Sequence, residues 1–391
     1  MAFSSRLSIY LIALGAFSLG MASYVTAGLI PMVTSAFSVS EAVAAQLVTA
    51  FTLAYGLGSP LVVALLPGHR QRTGLLAALT VFVIANALSA LADSFAALAA
   101  WRAVAGVGAG VYLALGIAAA TALAPNGQGG KAIAILMGGM ASGTVLGVPL
   151  SLLLAEQLGW ASALWLIAVL GMVALGGLVC RLPPLPAAPS LPLRHKATML
   201  KHPATVAILS VSLSGAIASL GMYTFIAPFM ASPAFEGAPP VALYLWVWGL
   251  GGIAGSFLIG PMVDRCSAPR VVIVIMALLA ISLGGLPLAA SLHPWLALVP
   301  IALWGAAGWA LQVPQNSELM RVRKPHGDGN LAVALNESAL YLGSALGAVA
   351  GGVIISGTYP LWLLAVSAAG VAVLGALVQL ISLRVPARQS P

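Results

Sequence analysis

Apolar residues gather into twelve long runs separated by short polar gaps, at residues 8–32, 43–66, 74–92, 96–123, 131–155, 160–181, 203–230, 240–262, 270–290, 295–317, 329–355 and 360–383. Each run holds the roughly 20 residues that a helix needs to cross the hydrocarbon core of a bilayer. Helix is the form available to such runs, because lipid cannot satisfy the open backbone groups of an isolated strand or loop. The pattern therefore predicts an all-α membrane protein with twelve transmembrane helices. The widest polar break runs from Leu182 to His202 and carries Pro183, Pro184, Pro186, Pro189 and Pro192 ahead of a basic stretch. Proline stops a helix and stiffens an extended spacer. The chain is thus expected to divide into a six-helix bundle at residues 1–181, a linker at 182–202 and a second six-helix bundle at 203–391.

Charge orients the runs. All but one of the 16 Lys and Arg residues fall in alternate gaps: Arg6, then Arg70 and Arg72, Lys131, Arg181 through Lys201, Arg265 and Arg270, Arg321 through Lys324, and Arg384 with Arg388. The gaps between hold only acids such as Glu41, Asp93, Glu156 and Glu236. Short basic loops stay on the cytoplasmic side, so both termini are expected there. The first run is longer than a signal-peptide core of roughly 7–15 residues and is expected to remain as an uncleaved span. Composition agrees, with 61% hydrophobic and 6% charged residues against roughly 25% charged in a soluble domain. The net charge of +8 sits in short loops, where topology and anionic headgroups account for it, so no nucleic-acid partner is expected. Cys180 and Cys266 lie near membrane edges, and neither a disulfide nor a metal site is expected of them.

The two halves repeat each other's devices. The second run has Gly58-Ser59 before a basic turn, and the eighth has Gly255-Ser256 before the turn from Asp264 and Arg265 to Arg270. Gly139, Gly143 and Gly147 in the fifth run match Gly343, Gly347 and Gly351 in the eleventh. That four-residue spacing lines one helix face with small residues and lets a neighbour approach closely. Tight packing accounts for each stripe alone. Its recurrence at matching places marks a duplicated fold of two pseudo-symmetric bundles, rocking about a site near the midplane.

Enzyme chemistry finds no footing. Gly249-Leu250-Gly251-Gly252 leaves the dinucleotide fingerprint incomplete and lies inside a span, and Gly130-Lys131 lacks the flanking residues of a phosphate loop. The histidines at 69, 195, 202, 293 and 326 sit in loops or at membrane edges, away from any triad within the spans. Asn336-Glu337-Ser338 matches a glycosylation sequon but falls within a span. No catalytic residue, cofactor or metal is expected.

Two intramembrane charges remain, Arg102 in the fourth run and Glu337 in the eleventh. A lone charge costs at least ~2.5–3.5 kcal/mol to insert, so such residues usually face a polar interior and act there. Arg102 has the alternatives of snorkelling or pairing with Asp93. Glu337 has the alternative of a neutral carboxyl bonded among Asn336, Ser338 or neighbouring polar groups; a carboxyl in a dry pocket is also what a proton carrier needs. Polar and aromatic residues within spans give a candidate substrate cavity: Tyr24, Gln46, Tyr112, Tyr223, Gln312, Gln315, Asn316 and Asn336, together with Phe225, Trp246 and Trp248. Trp160, Trp295 and Trp362 suit the headgroup level instead.

Several stretches resemble one family: Gly28-Leu29-Ile30-Pro31; Gln46-Leu47-Val48-Thr49-Ala50 with Tyr55; Arg102 with Gly106, Gly108, Ala109 and Gly110; Gly139 to Pro149 with its Gly-Val-Pro ending; and Asn336 through Gly352. Along its whole length the chain resembles the major facilitator superfamily, in the drug:proton antiporter branch near the sugar-efflux, arabinose-efflux and chloramphenicol-resistance permeases. The resemblance implies a multi-pass inner-membrane exporter of small organic solutes such as drugs, sugars or nucleosides, coupled to proton entry; a monomer in the bilayer is expected because each chain already holds two halves. It places Arg102 near the proton path, and gives Gly139, Gly143, Gly147 and Pro149 the bend and close packing of the fifth span. Arg70 and Arg72 fall in one gate loop, and Asp264, Arg265 and Arg270 in its counterpart. The chain departs from the family in two places. It reads Ala22-Ser23-Tyr24 where relatives carry an acid, and Pro67-Gly68-His69-Arg70-Gln71-Arg72 where the loop should hold an Asp. Glu337 is the expected replacement for the lost proton-carrying acid. The competing readings are a facilitator without proton coupling and, from another class, a transport-dead membrane sensor.

Overall fold

The computed structural model describes residues 2–187, 198–230, 241–357 and 359–384. Pro189, Pro192, Arg194, Lys196, Glu236 and Arg388 lie outside the described residues. Twelve helices among them are long and apolar enough to span a bilayer: α1 (Arg6–Phe37), α2 (Gln46–Leu65), α3 (Gly68–Ala90), α4 (Phe95–Leu123), α5 (Gly129–Leu158), α6 (Ala161–Arg181), α7 (Pro203–Thr224), α8 (Val241–Arg265), α9 (Ala268–Leu292), α10 (Pro294–His326), α11 (Gly329–Ser356) and α12 (Trp362–Arg384). No strand occurs among the described residues.

Two of the ends that differ from the hydropathy limits have a visible physical cause. The helix of α10 continues to Arg323, beyond the expected residue 317. Polar side chains hold it there: Arg321 pairs with Glu318 one turn back, and Arg323 pairs with Asp328 across the following turn. α7 ends at Thr224; Phe225 leaves helical geometry, and a separate short helix follows at Ile226–Met230. Pro228 has no N–H to give the carbonyl of Thr224, so a break here costs the chain little.

The chain forms two compact units, Met1–Lys196 with Arg323–Ser338, and Ala197–Val322 with Ala339–Pro391. In the first, α1 packs on α5 and α6, α3 on α4 and α6, and α2 on α4. In the second, α7 packs on α12, α9 on α10 and α12, and α8 on α10, which is the same pairing six helices later.

The glycine stripes explain the closest approaches. A methyl group at Gly139 would sit 2.6 Å from the Ala13 carbonyl oxygen, and one at Gly143 or Gly147 would overlap Phe17 or Met21, each one turn further along α1. Gly343 meets Leu213 and Ile217 of α7, Gly347 meets Ile217 and Gly221, and Gly351 meets the ring of Phe225 just past the helix end. Backbone therefore touches backbone in both units, which glycine alone permits. α2 and α5 each contain a widened π turn, at Ala54–Gly58 and Gly143–Gly147. Both turns stand just ahead of a proline, Pro60 and Pro149, whose missing N–H interrupts the ladder that a regular helix would continue.

Candidate transport site

Arg102 is 1% exposed, in the centre of the first unit. Its guanidinium donates to the Ala22 carbonyl on α1 at 2.6 Å and to Asn86 Oδ1 on α3 at 3.2 Å. The guanidinium carbon stands 4.5 Å from the centre of the Phe51 ring on α2. Asn86 is itself fixed by donating to the Phe82 carbonyl at 2.8 Å. Hydrogen bonds to a charged group contribute about 1.5–3 kcal/mol each, and a desolvated cation–ring contact about 2 kcal/mol. Together they offset the insertion cost that made Arg102 conspicuous. The side chain neither snorkels nor pairs with Asp93, which is exposed beyond the start of α4. Asn86 escaped the sequence reading, although the signal that singled out Gln315, an amide inside an apolar run, was equally present.

The second unit has its own polar spine. Gln315, 1% exposed on α10, donates through Nε2 to the Ile208 carbonyl and to Ser212 Oγ on α7, both at 3.1 Å. Asn316 beside it is fully buried, and Gln312 one turn earlier is half-buried. Above them Trp304 donates to Ser219 Oγ at 2.9 Å. Trp248 on α8 stacks on Tyr223 with ring centres 4.3 Å apart, and lies edge-on to Trp304 and Trp309 at 6.0 and 6.2 Å. Trp304, Trp309 and Ser219 were invisible to hydropathy, because tryptophan and serine fit both lipid-facing and buried positions.

Other expected residues fall elsewhere. Tyr112 is wholly buried against α1 and donates to the Ile12 carbonyl at 3.0 Å, which ties α4 to α1. Tyr24 is half-buried on α1, Gln46 is exposed at the start of α2, and Trp246 is 41% exposed on the side of α8 opposite to Trp248's buried ring. Asn336 and Glu337 are 0% and 2% exposed on the α11 turn that belongs to the first unit. In that unit the next residue, Ser338, donates to the Gly56 carbonyl, which Pro60, four residues on, cannot serve.

The loop residues divide as well. Arg72 donates to the Val179 and Leu182 carbonyls at 3.2 and 3.0 Å, a cation placed on the negative C-terminal end of α6. Arg70 is exposed beside it. At the end of α8 Asp264 is half-buried, while Arg265 and Arg270 are exposed.

Twelve bilayer-length helices, a repeated pairing pattern and buried polar groups within each unit describe a membrane carrier, and comparison with known proteins decides its kind. The profile of the Major Facilitator Superfamily matches residues 12–327. The chain belongs to the Major Facilitator Superfamily. This facilitator is 29% identical over 345 residues to the inner membrane transport protein YdhP of Escherichia coli K12, covering 88% of each chain. It is 30% identical over 367 residues to a chloramphenicol resistance protein of Streptomyces lividans, covering 91% of this chain and 92% of that one. The crystal structure of the human organic anion transporter MFSD10 shares its fold, with a TM-score of 0.74 at 17% identity over 96% of this chain and 99% of the other. A fucose:proton symporter of E. coli matches with the same TM-score at 15% identity, over 97% of this chain and 99% of that one. The facilitator is a multi-pass inner-membrane transporter of small solutes, of the drug:proton antiporter type, and not an enzyme.

Proposed function

We propose that this facilitator exports small organic solutes, such as drugs, sugars or nucleosides, in exchange for protons, by alternating access between its two bundles. Glu337 carries the reading: it is a carboxyl 2% exposed within α11, next to the fully buried Asn336. A carboxyl within a span can bind and release a proton as its surroundings open and close. Arg102 supplies a fixed positive charge near the path. Tyr223, Gln312, Gln315 and Asn316 line the solute's side of the second bundle. The name of the Streptomyces relative makes chloramphenicol the first solute to try.

The test uses purified protein in liposomes containing a pH-sensitive dye, with an imposed proton gradient and a panel of drugs, sugars and nucleosides. Glu337→Gln is expected to abolish solute-dependent proton flux while leaving expression intact. Unaltered flux in that variant would sink the proposal. A second reading, a facilitator without proton coupling, is favoured by Ala22-Ser23-Tyr24 standing where relatives have an acid. Solute movement without proton flux in the unmutated protein would select it.

A further inference from the structure

Arginine stays charged in proteins. The groups around Arg102, however, are a backbone carbonyl, a neutral amide and an aromatic ring. No carboxylate with a described side chain lies within ion-pairing distance of it; Glu41 and Glu236 lie outside the described side chains. Another buried arginine is answered differently, since Arg323 meets Asp328 with two parallel hydrogen bonds. Arg102 therefore keeps a buried positive charge held by dipoles and a ring, without a described counter-ion.

Unused donors lie one turn from the residues that hold Arg102. Arg102 Nε is buried and has no hydrogen-bond partner. Thr26, 3% exposed, lies one turn beyond Ala22 on the face of α1 that touches Arg102, and its hydroxyl is also without a partner. Ser89, fully buried, lies one turn beyond Asn86 on α3, and its hydroxyl is likewise unused. These two hydroxyls differ from several others in the first bundle, although Thr34 and Ser59 share their lack of a partner. A helical Ser or Thr has a ready acceptor in the carbonyl three or four residues earlier, and Ser18, Ser23, Thr80 and Thr121 all use it. Thr26 and Ser89 do not, although leaving a buried polar atom unmade is costly.

We propose that the Arg102 pocket binds a small monovalent anion, a halide or the carboxylate of a transported solute, through the guanidinium Nε–H and the hydroxyls of Thr26 and Ser89. Three donors from three helices, one of them on a cation without a described counter-ion, match the needs of such an ion, which has only acceptor capacity. The site lies within the first bundle and is independent of Glu337, so it holds whether or not protons drive transport.

Thermal unfolding of the purified protein in detergent tests it, at constant ionic strength with chloride or benzoate replacing gluconate. The unmutated protein is expected to gain stability along a saturating curve. Saturation with chloride alone identifies a halide site; a response confined to benzoate identifies a solute carboxylate. Asn86→Asp places a built-in carboxylate at the same guanidinium with almost no change of shape. It is expected to unfold at the anion-saturated temperature and to ignore added anion. Thr26→Val and Ser89→Ala are each expected to shift the anion midpoint about tenfold, the equivalent of one hydrogen bond to a charge. A flat response to both anions in the unmutated protein would overturn the proposal, and so would an undiminished response in Asn86→Asp.

Discussion

Gly139→Ala should loosen the first unit, and the amount follows from the contact it breaks. The added methyl group would lie 2.6 Å from the Ala13 carbonyl oxygen and 3.2 Å from its carbon. Ordinary carbon contacts lie at about 3.5–4.0 Å, so α1 and α5 must part by most of an ångström. The obstacle is backbone, which cannot swing aside as a side chain can. Overpacking of this kind costs about 1–3 kcal/mol, while alanine returns up to about 1 kcal/mol of helix propensity. A net loss of about 1–2 kcal/mol remains. Gly176→Ala is the matched control: it lies on α6, where a methyl group would meet nothing within 4 Å, and it should be neutral or slightly stabilising. Reversible unfolding in mixed micelles measures both. If Gly139→Ala proved as stable as Gly176→Ala, the claim that backbone contact fixes the α1–α5 spacing would be wrong.

Two further outcomes follow from buried polar contacts. Ser219→Ala should cost about 1–3 kcal/mol by stranding the Trp304 N–H; combining it with Trp304→Phe should recover part of that loss in a double-mutant cycle, and strict additivity would deny the bond any role. Asp328→Asn should destabilise by about 3–5 kcal/mol, because Arg323 is 4% exposed and would lose its counter-ion; restoration by Arg323→Met in the same chain is the check, read by thermal unfolding.

The bilayer made the spans legible, since it imposes one length and one polarity on every crossing. The repeat was legible too, because Gly139 to Gly147 and Gly343 to Gly351 perform the same backbone approach in each unit. Hydropathy failed at the end of α10, where Glu318, Arg321 and Arg323 read as loop but form helix through ion pairs. It also could not separate a polar residue that lines a path from one that ties helices together. Tyr112 and Gln315 both read as cavity lining in sequence, yet both reach the backbone of a neighbouring helix, Tyr112 that of α1 and Gln315 that of α7. The surroundings of Arg102 depend on which of its neighbours Asn86 and Phe51 face the same point, and that register emerges only from three helices packed together.

Three of the buried polar groups also meet partners made before them, whereas Ser8 and Tyr244 await the later Arg181 and Pro294 carbonyls. Arg102 is held by Ala22, Phe51 and Asn86, all of which precede it in the chain. Gln315 reaches back to Ile208 and Ser212, and Trp304 to Ser219. Chains are made from the N-terminus, and early segments fold first. Each of these spans therefore arrives when the acceptors of its polar group are already there, and α4 need never hold its charge alone in lipid. A circular permutation that moved α4 ahead of the first three helices would leave every contact in the finished fold unchanged, yet would force Arg102 into the bilayer before any of its partners had been made.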